Sequence, residues 1–118
     1  MRQATFGDVT IDRLIEVEGP GYAPNVFFPD ATMAGFEGEM DWLMPHFWDV
    51  AANTYFRAIQ SYVIRTPHHT VLVDACVGAE KERPSSPAWH NLESTWLDQL
   101  IGAGVHPEEV NYVLCTHL

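Results

Sequence analysis

The sequence predicts an α/β domain built on a mixed sheet. Two observations carry that expectation. A pair of β-prone segments, Ala58–Thr66 and Thr70–Val77, is joined by a short turn at Pro67-His68-His69, which makes a hairpin. The second arm is then followed by a helical pattern, a short turn and a third apolar run, Val110–Cys115. Strand, helix and strand in that order form a crossover unit, and such units join parallel neighbours with right-handed connections.

Each element has a local cause. Val9–Glu18 alternates loosely between apolar residues (Val9, Ile11, Leu14, Ile15, Val17) and charged ones (Asp12, Arg13, Glu16, Glu18), and reads as a first strand that Gly19-Pro20-Gly21 terminates. Tyr22–Asn53 carries Pro24, Pro29, Pro45 and several glycines. It predicts a long loop with one short helix around Asp41–Met44, serving as surface covering or as a wall facing substrate. Thr70–Val77 is apolar on both faces, as expected of a strand inside a covered sheet, with Gly78 ending it.

Ala79–Pro87 is polar. A helix follows, with Asn91 as the expected N-cap, Glu93 in its first turn, and Leu92, Trp96, Leu97, Leu100 and Ile101 as one apolar stripe. Gly102 and Gly104 close it, Gly104 in the left-handed conformation that helix ends favour. His106-Pro107-Glu108-Glu109 makes the turn into the last strand.

Composition narrows the functional classes. The chain has 118 residues, 47% hydrophobic and 19% charged, which suits one globular domain. Sixteen acidic against six basic side chains give a net charge of -10. Nucleic-acid backbones and anionic membrane surfaces would repel such a surface, so neither is an expected partner. Neither a signal-type apolar segment near the N-terminus nor an apolar run of membrane-spanning length is present, so the expected setting is soluble and cytoplasmic. Cys76 and Cys115 sit in apolar strand-like runs and are expected to be reduced core thiols.

The parallel arrangement has a chemical consequence. It brings the C-terminal ends of the second and third strands, Asp74 onward and Thr116-His117, to the same edge of the sheet. That edge is where open α/β sheets bind ligands. The remaining histidines are expected to be uninvolved: His68 and His69 in the hairpin turn, His46 in an irregular loop, His90 and His106 near helix starts. Trp42, Phe47 and Trp48 are expected to pack, with an acyl or aryl pocket as the functional alternative.

Taken together, the hairpin, Val-Asp-Ala-Cys-Val-Gly, the helix running into Ala-Gly-Val-His-Pro-Glu-Glu-Val, and Val-Leu-Cys-Thr-His-Leu resemble the metallo-β-lactamase superfamily, most of all its lactonase-like and organophosphate-hydrolase-like branch. In that family the last of these strands runs into Thr-His-x-His-x-Asp-His, a loop that ligates two metal ions; here Thr116, His117 and Leu118 match its beginning. The resemblance implies an αββα sandwich, with residues 1–118 as the N-terminal part of a single such domain that is incomplete at its C-terminus.

The resemblance further implies zinc or another divalent metal, two ions in the complete family site, with His117 as a metal ligand. Asp74 and Thr116 would be polar supports that orient the ligand loop by hydrogen bonds. No catalytic residue is expected within these 118 residues. Nor is tight metal binding or hydrolysis expected from them alone, and the open sheet edge is expected to favour aggregation.

The implied activity of the complete protein is that of a metal-dependent hydrolase attacking an ester, lactone or related bond of a small-molecule substrate with metal-activated water. A thioester hydrolase resembling glyoxalase II, a di-iron oxidoreductase on the same scaffold, and a non-enzymatic α/β binding module are the alternatives. A homodimer contact through the aromatic Tyr22–Asn53 segment is a further expectation.

Overall fold

A computed structural model describes residues 3–117, the side chain of Phe27 excepted; Leu118, the last residue of the matched motif, lies outside them. The element order is β1 (Gln3–Phe6), β2 (Val9–Pro20), α1 (Pro24–Phe27), α2 (Met33–Glu37), α3 (Met40–Leu43), β3 (Trp48–Asp49), β4 (Thr54–Arg65), β5 (Thr70–Val73), α4 (Trp96–Gly102) and β6 (Tyr112–Leu114). Short 3-10 turns occupy Pro87–Trp89 and Pro107–Glu109. The sheet runs β1-β2-β4-β5-β6, with β3 pairing to β4 off that path. Pairing is antiparallel between β4 and β5 and parallel between β5 and β6, so the sheet is mixed. The fold class is α/β, as the hairpin and the crossover predict.

The described chain divides into two compact units, Met1–Glu16 with Ile59–Leu118, and Val17–Ala58. In the first, Leu14, Val63, Leu72, Leu100 and Val105 form the core, with Trp96, Ala103 and Val110 packed against it. Val63 and Leu72 sit opposite each other in the β4–β5 register, so the central strands and α4 close on one apolar layer. Burying each such side chain contributes about 1.5–3 kcal/mol.

Polar groups hold this unit together where apolar contact ends. Asp12 on β2 is buried, pairs with Arg65 on β4, and accepts a 2.7 Å bond from Gln3 Nε2. Arg65 also donates to the carbonyl of Ala103 at the end of α4, at 3.0 Å. A carbonyl of the last helical turn lacks a partner within the helix, so the guanidinium satisfies it. Ser61 is fully buried and accepts a 2.7 Å bond from Trp96 Nε1, which anchors the start of α4 on the sheet.

The second unit replaces much of the long loop that Tyr22–Asn53 predicts. Trp48 is nearly fully buried, with Phe36 at 5.3 Å between ring centroids, and Leu43 is buried as well. Thr32 caps α2, accepting the Gly35 N–H at 3.3 Å. Thr54 donates its hydroxyl to the Tyr22 carbonyl at 2.7 Å, and the Arg57 guanidinium lies 4.9 Å from the centre of the Tyr22 ring. A Cβ on Gly21 would stand 2.5 Å from the Tyr55 ring, so only glycine fits there. Trp48 therefore packs, as expected, whereas Trp42 and Phe47 are exposed and lie against each other at 6.1 Å.

Several boundaries differ from the sequence expectation. Helix α4 starts at Trp96, after Thr95, and not at Asn91. Asn91 has φ +49 and serves a turn, its N–H bonded to the Lys81 carbonyl at 2.9 Å. Of the expected stripe, Leu100 is buried, while Leu97 and Ile101 are exposed. Gly104 does take the left-handed conformation, at φ +78. Strand β5 ends at Val73, because Asp74 and Cys76 adopt φ near +60 and break the ladder before Gly78 is reached.

Candidate functional site

The parallel register pairs Val71 with Tyr112, Leu72 with Val113 and Val73 with Leu114. One residue further along, the Asp74 N–H donates to the Leu114 carbonyl at 2.8 Å. Both chains then leave the sheet at the same rim. Asp74, Thr116 and His117 are brought together there.

Thr116 is the link between the other two. Its N–H donates to Asp74 Oδ1 at 2.9 Å and its hydroxyl to Asp74 Oδ2 at 2.6 Å, so one residue engages both carboxylate oxygens. The same hydroxyl lies 2.7 Å from His117 Nδ1. Its hydroxyl bond, and then its amide bond, hold the Asp74 carboxyl below its ordinary range; burial opposes this, and the nearby His117 charge adds to it.

The direction of each proton follows from valence. An ionised carboxylate only accepts, so Thr116 spends its single hydroxyl proton on Asp74. Towards His117 the hydroxyl oxygen is left to accept, so Nδ1 carries the hydrogen. This assignment rests on the hydrogen-bond network. The lone pair of the neutral ring then resides on Nε2. Fixing one ring nitrogen by a hydrogen bond in order to present the other is how metal-binding histidines are oriented.

Behind the rim, the loop from Asp74 to Gly78 has three left-handed residues at alternate positions: Asp74 (φ +59), Cys76 (φ +58) and Gly78 (φ +81). Glycine adopts this region freely, whereas non-glycine residues held there cost on the order of 1–3 kcal/mol each and persist only where surrounding contacts fix them. At the start of the loop those contacts are the Asp74 bonds to Leu114 and Thr116, and at its end they come from Glu16 on β2. The Glu16 carboxylate accepts the Val77 N–H at 2.7 Å, the Gly78 N–H at 2.9 Å and the Ser94 hydroxyl at 2.7 Å. Arg83 adds a 3.0 Å bond to the Val77 carbonyl. The sequence does not single out Glu16, because a charged residue at an alternate strand position looks the same whether it faces water or backbone amides.

The cysteines differ from each other. Cys76 is half-buried, and burial pushes its thiol up to about 11; the Ser61 hydroxyl opposes this, and the charges of Glu16 and Asp74 add to it. Cys115 is exposed, against the expectation of a core thiol. The reason is that β6 is uncovered among the described residues: Tyr112, Val113 and Leu114 are 53%, 57% and 55% exposed, so neither face of the strand is packed.

The other histidines lie elsewhere. His68 and His69 occupy the hairpin turn, with His69 edge-on to Tyr112 at 5.2 Å. His90 accepts the Arg83 N–H at Nδ1, at 2.9 Å, and His106 caps the 3-10 turn at Pro107–Glu109. Among the described residues no group of three His, Cys, Asp or Glu side chains is placed to hold a metal ion. His117 supplies one imidazole, and both Asp74 oxygens already accept bonds from Thr116. That set alone does not fit a zinc ion, which takes three or four protein ligands. No helix among the described residues is long and apolar enough to cross a membrane.

A mixed α/β sheet with polar groups gathered at the carboxyl ends of a parallel pair defines the class, and solved structures give it a name. The chain has the metallo-β-lactamase fold. It is similar to the hydrolase AbOPH of the beta lactamase superfamily, with a TM-score of 0.67 and 22% identity over 98% of this chain and 35% of that one. It is similar in the same degree, TM-score 0.67 at 18% identity, to a "probable metal-dependent hydrolase" from Staphylococcus aureus, over 97% of this chain and 39% of that one. The chain thus spans well under half the length of either structure. No family model and no curated protein matches the sequence.

Proposed function

We propose that this chain belongs to a metal-dependent hydrolase of the β-lactamase superfamily that cleaves an ester, lactone or related bond in a small-molecule substrate. The observation that carries the proposal is the Asp74–Thr116–His117 relay at the carboxyl rim of the parallel pair. Of the two solved structures compared above, one is named a hydrolase and the other a "probable metal-dependent hydrolase", which supports the same reading.

In this reading His117 is a ligand through Nε2. Thr116 and Asp74 fix its ring, and the remaining ligands come from segments other than the described residues. Zinc is one suitable divalent ion for an imidazole-led set. The exposed aromatics of the second unit, Trp42 and Phe47 among them, suit a homodimer contact.

The test is turnover of an aryl ester, a lactone and an aryl phosphotriester by the complete product of the gene that encodes this chain, assayed metal-free and with zinc, manganese or cobalt restored. Metal-stimulated hydrolysis that His117→Ala reduces by at least about a hundredfold is the expected outcome, the scale at which lost ligands and their supports are felt. Absence of metal-stimulated turnover on all three substrates would overturn the proposal.

A further inference from the structure

The loop between Asp74 and Gly78 is held from two sides. At its start, Asp74 bonds to β6 through its N–H and accepts both Thr116 bonds. At its end, the consecutive amides of Val77 and Gly78 point at one carboxylate, that of Glu16, each donating to a different oxygen. Successive backbone N–H groups converging on one anion form the concavity that binds phosphates and other oxyanions in many proteins. Here the anion is supplied by the chain itself, from β2, and the Ser94 hydroxyl completes its coordination from the segment leading into α4.

We infer that Glu16 is a positioning residue: its carboxylate is the resident anion of a backbone nest, and by filling that nest it sets the orientation of Asp74, and through Thr116 that of the His117 ring. The inference deepens the hydrolase reading, since it matters for reaction only if that rim is the reacting edge.

The geometry gives three reasons. The Glu16 carboxylate bonds to the Val77 and Gly78 amides and the Ser94 hydroxyl, so its effect on the rim has to travel through the backbone from Val77 to Asp74. That backbone is strained at Asp74 and Cys76, and strained residues relax when their restraints are removed. The Gln99 amide, bonded to both backbone groups of Ile15, keeps the neighbouring part of β2 rigid against α4, so the carboxylate is delivered from a fixed base.

The experiment is amide hydrogen exchange on the 118-residue chain, wild type against Glu16→Ala, with and without sodium formate, a small carboxylate that fits the vacated nest. In the variant, Val77, Gly78 and Thr116 are expected to exchange at least about tenfold faster while Val63 and Leu72 keep their protection, as local opening rather than global unfolding requires. Formate is expected to restore slow exchange at all three sites, and sodium chloride at equal ionic strength is not.

Fast exchange confined to Val77 and Gly78, with Thr116 unchanged, would overturn the positioning role. Rescue by chloride as effective as rescue by formate would overturn the nest. Should Glu16→Ala fail to fold, Ser94→Ala removes one bond and leaves the charge; Thr116 is then expected to exchange severalfold faster, and unchanged exchange overturns the inference. None of these readouts needs metal or turnover, so a failed hydrolase assay and a failed nest are told apart.

Discussion

Gln99 closes a two-point amide bridge onto Ile15. Its Nε2 donates to the Ile15 carbonyl at 2.7 Å, and its Oε1 accepts the Ile15 N–H at 3.2 Å. A helix side chain here does what a neighbouring strand would otherwise do for β2. Gln99→Leu keeps the bulk and removes both bonds, leaving one donor and one acceptor of the strand unmatched. Unmade buried bonds cost about 1–3 kcal/mol each, so a loss of about 2 kcal/mol is expected, partly offset by water at this half-exposed site. Urea unfolding with an unchanged slope and a lower midpoint would report it.

The relay at the rim has a predictable acid limit. The folded Asp74 carboxyl titrates below its unfolded value, so the stability it contributes is fully present above the usual carboxylate range and is lost as pH falls through the depressed folded value. The Thr116 amide resonance is therefore expected to hold its position as the pH passes about 3.9, the ordinary aspartate value, and to move only below it. In Asp74→Asn that acid transition is expected to disappear. A Thr116 shift centred at the ordinary value would contradict the assignment.

Thr116→Val tests the proton directions. It removes the hydroxyl that accepts from His117 Nδ1 and keeps the side-chain shape. The neutral ring is then expected to move from the Nδ1–H tautomer towards a mixture, read from the 15N shifts of its two nitrogens. Unaltered shifts would mean that the hydroxyl does not set the tautomer.

The two thiols are expected to separate under alkylation. Cys115 is exposed and should react with a maleimide at neutral pH, whereas Cys76, pushed up to about 11 and half-buried, should lag well behind. For Cys76 the sign of the pH effect is opposite to that of Asp74. Its folded form keeps the proton where the unfolded thiol loses it, so its contribution to stability falls as pH rises past the ordinary thiol value of 9.0. Equal alkylation rates for the two would refute this.

Zinc titrated by calorimetry into the 118-residue chain is expected to bind weakly. A full structural site is worth about 10–16 kcal/mol, and one ligand's share, about 3–4 kcal/mol, corresponds to millimolar affinity. Micromolar binding at one ion per chain would show that the described donors do more than their geometry suggests.

The sequence announced some of these features because their causes are local. Gly104 ends a helix with the one residue type that meets no steric penalty there, and the strand, helix, turn and strand order forces β5 and β6 to run parallel. From that parallelism alone, Asp74 and His117 fall on one border. The rest is not legible because an element is too short to show a period or because its partners lie elsewhere along the chain. Gln3–Phe6 is too short for alternation to stand out, and α1 and α2 are single turns with no period to detect. Asn91 has the composition of a helix cap but is taken up by a turn pairing with Lys81. Glu16 answers to backbone amides some sixty positions away, and amides carry no sequence signature.

The parallel contact between β5 and β6 also dictates an order of assembly. The β4–β5 hairpin closes over four residues, whereas Val73 and Leu114 meet only after the whole intervening segment has been looped back. Closing the longer loop loses more chain entropy before any contact repays it, so β6 docks late and detaches early. The relay that Thr116 completes thus forms after the hairpin and, on heating, is given up before it.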